Sequence, residues 1–153
     1  MPMETHWGFE RILVAIDGSE DSTKAVKAAC AIAKCLGSKL TLLHVYSVPV
    51  YSYGGPGGLP QVSIQSLAAT AKEKAVAVVN EGVKMAESEG VEVTGEAQES
   101  TSVVEAIVDT ASKEKSQLVV IGTRGMTGFK KMLLGSVSNG VVNHSPCPVM
   151  VVR

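Results

Sequence analysis

Residues 118–136 read LVVIGTRGMTGFKKMLLGS, an apolar run that breaks into a stretch crowded with glycine and positive charge. LVVI has no polar residue to alternate with, so it reads as a strand covered on both faces. The residues that follow, 122–136, hold four glycines, one arginine and two lysines. They end in Gly135-Ser136, where a short helix to about His144 is predicted. A last strand, PVMVV (148–152), follows that helix.

The same switching between strand and helix periods runs back to the N-terminus. RILVAID (11–17) is a second buried strand. Ser19 is placed to cap a helix with Glu20 and Asp21 in its first turn, the sign its dipole prefers. Ala25, Ala28, Ala29, Ile32, Ala33 and Leu36 fall on one face of that helix, and Gly37 stops it. LTLLHV (40–45) is the next strand, and the Pro/Gly-rich stretch 49–62 is a loop. A long helix then runs to about Gly90, with Ile64, Leu67, Ala68, Ala71, Ala75, Val78, Val79 and Val83 at helical spacing. VEVTGEA (91–97) alternates apolar with polar, the mark of a strand with one covered face near a sheet edge. Ser102-Val-Val-Glu105 is a capping box that opens a third helix.

Strand and helix alternating through five strands imply an α/β fold with a parallel sheet and helices on both faces, because each parallel connection needs a crossover. In such sheets a ligand sits beyond the carboxyl ends of the strands, where the winding direction reverses. The alternation does not fix the strand order. In the order 3-2-1-4-5 the first and fourth strands are neighbours at the reversal, so Asp17-Gly18-Ser19 and the 122–136 loop face one crevice.

Bulk composition narrows the function classes. A chain of 153 residues is expected to form one domain, residues 1–153, since single cores stop growing only well above this length. Hydrophobic residues make up 45% and aromatics 4%, so the core must be built from Val, Ile, Leu and Ala. A net charge of −1 gives no overall field for nucleic acid or an anionic membrane. MPMETHWGFER carries charge where a signal peptide needs its apolar core, and no apolar run approaches the roughly 20 residues that span a bilayer. A cytoplasmic protein is expected. Cys30, Cys35 and Cys147 have neither CxxC nor metal spacing and read as small buried hydrophobes.

The crowding of glycine at 122–136 suits phosphate. Backbone N–H groups at a helix N-terminus lack partners, and the helix dipole favours negative charge there. Gly122 and Gly125 present no Cβ to an approaching anion, Gly135-Ser136 adds two N–H groups and a hydroxyl, and Arg124 offers a planar donor fork. Glycines can also do no more than punctuate a strand-to-helix connection. The distinguishing feature is the spacing Gly122-x2-Gly125-x9-Gly135-Ser136, followed by Val137-Ser138. No G-x-x-x-x-G-K-[ST] occurs, and the glycines at 54–58 do not complete G-x-G-x-x-G.

With that spacing the sequence resembles the universal stress protein family in its ATP-binding branch, marked by G-x2-G-x9-G-[S/T]. ILVAIDGS, LLHV, GTRG, LLGSVS and the final Pro-Val-x-Val-Val extend the resemblance over nearly the whole chain. It implies a Rossmann-like fold of the adenine nucleotide alpha hydrolase type, ATP as ligand, and a homodimer. By position, Ala15, Asp17 and Val45 match the family's adenine and ribose contacts. Gly122, Arg124, Gly125, Gly135, Ser136, Val137 and Ser138 match its phosphate and ribose contacts. Pairing of two copies through the terminal strand agrees with the apolar run at 148–152.

Three classes of function fit this reading: a nucleotide-binding regulator, a slow ATP hydrolase or nucleotidyl-transfer enzyme, and a nucleotide-free dimerising protein. Hydrolysis needs a base and usually a metal clamp, and the crevice offers Asp17 and His44. Asp17 equally suits a ribose hydroxyl or the cap of the first helix, and His44 suits a satisfied core position. No motif supports Mg2+ or Mn2+ beside the ATP. Asp17-Gly-Ser-Glu-Asp-Ser22 lacks the paired glycines of a pyrophosphatase loop.

Overall fold

A computed structural model describes residues 8–48, 61–124 and 134–153. Five strands, β1 (Arg11–Ala15), β2 (Lys39–Tyr46), β3 (Val93–Glu99), β4 (Leu118–Gly122) and β5 (Val149–Val152), alternate with four helices. The helices are α1 (Glu20–Leu36), α2 (Gln61–Ser88), α3 (Val103–Lys113) and α4 (Ser136–His144). The strands form one sheet in the order β3-β2-β1-β4-β5, and every pairing is parallel. Winding therefore reverses between β1 and β4, where Ala15 is paired with Ile121.

Two cores explain why β1 after Arg11, and β4, carry no polar side chain. Ile12, Val14 and Ile16 join Leu40, Leu42, Leu118 and Val120 under α1 and α2. Leu13, Ala15, Leu43, Val45, Val119 and Ile121 alternate with them and pack under α3 and α4. Strands with helices on both sides need apolar residues at both phases of the pleat. Among the described residues β3 pairs only with β2, and it is largely exposed, as its alternating sequence requires.

Local signals set the ends of α1. Ser19 Oγ accepts the Ser22 N–H at 3.2 Å, and Gly37 closes the helix at φ 71°. Ser102 Oγ likewise accepts from Glu105 N at 3.3 Å, while the Ser102 N–H donates to Ser100 Oγ at 3.1 Å.

Several boundaries differ from the sequence reading, among them the end of β3, which runs to Glu99 and not to Ala97. Val91 closes the end of α2 from just beyond it and does not join β3: its N–H donates to Ala86 O at 3.3 Å and its side chain is buried. Apolar residues just past a helix end commonly close it this way. α2 starts at Gln61, inside the stretch read as a loop, and its early apolar positions are not buried. Ile64 and Leu67 are 40% and 39% exposed. A helix of 28 residues extends about 42 Å, whereas seven residues of β3 cover about 23 Å, so α2 outruns the strand it packs on. β1 ends at Ala15, although Ile16 N still donates to Leu43 O at 2.9 Å.

Candidate functional site

The site is built at the carboxyl ends of β1 and β4, from two chain exits that turn to opposite faces of the sheet. After β1 the chain enters α1 through Asp17, Gly18 and Ser19. Asp17 Oδ1 accepts the Ser19 N–H at 2.9 Å, and the Asp17 N–H donates to Ser22 Oγ at 3.1 Å. Asp17 therefore helps to shape the entry into α1, one of the two roles its position suggested.

After β4, Gly122 and Thr123 run directly against the first turn of α1. A Cβ on Gly122 would lie 2.9 Å from both the carbonyl carbon and the Cβ of Asp21. The bare backbone at Gly122 thus lets a helix approach, which is a different reason from the clearance for phosphate read from the sequence. Thr123 Oγ1 donates to Asp21 Oδ2 at 2.8 Å, and Arg124 Nε lies 3.5 Å from the same oxygen. Lys24 Nζ stands 3.7 Å from Asp21 Oδ1. The Thr123 hydroxyl is the main influence holding the Asp21 carboxyl below its ordinary pKa, and Arg124 and Lys24 add to it against the opposing effect of burial.

The Thr123 carbonyl joins this corner to α4. It accepts the Gly135 N–H, with N···O at 2.6 Å, and the Ser138 hydroxyl at 2.9 Å. Gly135 is the N-cap of α4 in an extended conformation and brings no side-chain cap. A Cβ there would meet the Thr123 carbonyl oxygen at 2.9 Å. The first-turn N–H groups of α4 are therefore left without a side-chain acceptor from the cap, and Ser136 is exposed beside them. Gly125 lies outside the described residues, as do Lys130 and Lys131.

Ala15 and Val45 lie near the ends of β1 and β2 in the core beneath α3 and α4, and Val137 packs against that same core. The residues assigned to an adenine and to the start of α4 thus share one side of the sheet. In the sequence reading Asp21 was only one of two acids suited to the dipole of the first helix, and Thr123 had no assigned role. Thr123 sits inside GTRG, but the partner that gives it a task is 102 residues away.

A family model for the universal stress protein family matches residues 8–153. The chain belongs to the universal stress protein family. A universal stress protein of Methanocaldococcus jannaschii is 35% identical over 146 residues, covering 95% of this chain and 82% of that protein. UspA from Lactobacillus plantarum shares the fold at a TM-score of 0.80 and 24% identity, over 95% of this chain and 98% of that one. A universal stress protein solved in complex with cAMP is 26% identical at a TM-score of 0.70, over 95% of this chain and 98% of its own.

In this universal stress protein the other side chains weighed for chemistry are His44 and the three cysteines. His44 Nδ1 lies 2.8 Å from Ile16 O, a satisfied half-buried histidine. Cys30 is buried, and that burial raises its thiol pKa; Cys147 is half-buried. Cys35 is exposed, contrary to its reading as a buried hydrophobe, because it falls on the outer side of the last turns of α1. Among the described residues no group of three or more His, Cys, Asp or Glu side chains could hold a metal ion. Among the same residues no helix is long and apolar enough to cross a membrane.

Proposed function

We propose that this universal stress protein binds ATP at the carboxyl ends of β1 and β4 and acts as a nucleotide-binding regulator. The observation that carries the reading is the start of α4. Its N-cap is a glycine with no side-chain cap, held from behind by the Thr123 carbonyl. Uncapped first-turn N–H groups with the helix dipole behind them form an anion site. Gly135, Ser136 and Val137 supply that backbone in the proposal, and Gly122, at the end of β4, and Gly125 join them. Arg124 meets Asp21 through Nε; a guanidinium has five N–H donors, so its terminal nitrogens serve the phosphates.

Ser138 is buried and its hydroxyl donates to Thr123 O and Gly135 O. It supports the phosphate backbone and can meet a ligand only as an acceptor. Ala15 and Val45 give the adenine an apolar wall, and Asp17 is assigned to the ribose. The cAMP complex of a relative at 26% identity supports an adenine nucleotide as the ligand class.

The proposal includes a homodimer through β5. Among the described residues that strand ends the sheet and pairs with β4 alone, and Met150 and, on α4, Val142 are 37% and 44% exposed. An open edge with apolar flanks suits antiparallel pairing of two identical strands about a twofold axis. Phe9 packs against the core under α1 and α2, and its carbonyl accepts the Ser38 hydroxyl just ahead of β2. Trp7 lies outside the described residues.

Native mass spectrometry of the purified protein tests both parts. The expected species is twice 15.9 kDa with one ATP per chain. Bound ADP or AMP would favour slow hydrolysis, and a nucleotide-free dimer that takes up no added ATP would overturn the binding reading.

A further inference from the structure

We infer that Asp21 and Thr123 form a buried clamp that fixes the N-terminal end of α1 against that of α4, and thereby positions the phosphate-binding backbone. The inference rests on the nucleotide-binding reading above and assigns a role to two residues outside it.

Four segments meet at Thr123. Its hydroxyl is bound to Asp21 on α1 at 2.8 Å, and its N–H donates to Val152 O on β5 at 2.9 Å. Its carbonyl holds Gly135 at 2.6 Å and Ser138 at 2.9 Å on α4. Asp21 and Thr123 are only 7% and 4% exposed, so water does not compete freely for the bond between them. A charge-assisted hydrogen bond in such a place is short and directional.

The absence of a Cβ at Gly122 is what lets the two partners meet, since a methyl there would strike the Asp21 backbone. Asp21 also fixes the base of Arg124 through Nε. Both proposed phosphate donors, the start of α4 and the Arg124 guanidinium, are therefore referenced to one buried carboxylate. The apolar wall at Ala15 and Val45 lies in the core under α3 and α4, and Asp17, assigned to the ribose, is positioned by its bonds to Ser19 and Ser22, contacts separate from the Asp21–Thr123 bond. Loosening the clamp should disturb phosphate contacts and spare those to the nucleoside.

That separation gives a readout that general destabilisation would not produce. Affinities for ATP and for adenosine are measured by calorimetry on the unmodified protein and on Asp21→Asn, Thr123→Val, the double variant and Thr123→Ser, at a temperature where circular dichroism shows each folded. Asp21→Asn keeps the side-chain volume and carries the test if Thr123→Val does not fold. The expected result is a loss of ATP affinity of about tenfold in Asp21→Asn and in Thr123→Val, with adenosine affinity changed by less than about twofold. The double variant should be no weaker than the worse single variant, because both remove one shared interaction. Thr123→Ser, which keeps the hydroxyl, should retain ATP affinity. Equal losses for ATP and adenosine, or normal ATP affinity in folded Asp21→Asn, would overturn the clamp while leaving the binding reading intact. An unmodified protein that binds neither ligand would overturn both.

Discussion

Asp21 shows how one residue's surroundings decide its chemistry. A carboxylate this buried would hold its proton more tightly, yet the Thr123 hydroxyl, followed by Arg124 and Lys24, tips the balance toward the charged form. Its pKa is lower in the folded chain than in the unfolded one, so at acid pH the unfolded state binds more protons. The stability this contributes is complete above the ordinary aspartate value of about 3.9 and is lost as pH falls through the folded value. A charged hydrogen bond exceeds a neutral one by about 1–1.5 kcal/mol. Asp21→Asn should therefore lie below the unmodified protein by about that amount in urea denaturation at pH 7. The gap should narrow steadily below pH 4; a gap independent of pH would show that the charge contributes nothing. None of this could be read from Asp21 in the sequence, where it is one acid in a helix's first turn. Its partner comes from the other end of the chain and is fixed only by the tertiary fold.

The elements meet most tightly where the first turn of α1 crosses the end of β4. Helices pack on sheets through side chains, so backbone-to-backbone approach requires a residue without Cβ. Gly122→Ala would set a methyl 2.9 Å from the carbonyl carbon of Asp21, a neighbour that cannot rotate away. Overpacking of this kind costs about 1–3 kcal/mol. At about 2–4 °C per kcal/mol in a chain of this size, Gly122→Ala should melt several degrees lower in a thermal scan. An unchanged midpoint would mean that α1 does not approach as described. The glycine spacing was legible from the sequence, but this reason for its first member was not, because spacing does not say what fills the place of a missing Cβ. Capping was legible at Ser19, Gly37 and Ser102, where the signal and its partner lie within a few residues. The α2–β3 boundary was not, since Val91 fits a strand pattern as well as a helix end.

Over the whole molecule the order β3-β2-β1-β4-β5 brings two chain exits that are distant in sequence to one crevice. The alternation of periods indicated a parallel sheet with covered faces; the order itself depends on which strands pair, a matter of non-local contacts that no local pattern encodes. Once that order is set, Asp17, the β4 exit and the start of α4 lie at the same end of the sheet, and the uncapped α4 N-terminus becomes the natural seat for an anion. In the proposed function this seat holds the phosphates of ATP in the folded chain. Thermal denaturation with and without ATP tests it directly. A ligand that binds only the folded state at a hundred times its dissociation constant adds about 2.7 kcal/mol of stability. Melting temperature is expected to rise by about 5–10 °C at saturating ATP, and no rise at any ATP concentration would overturn the binding proposal.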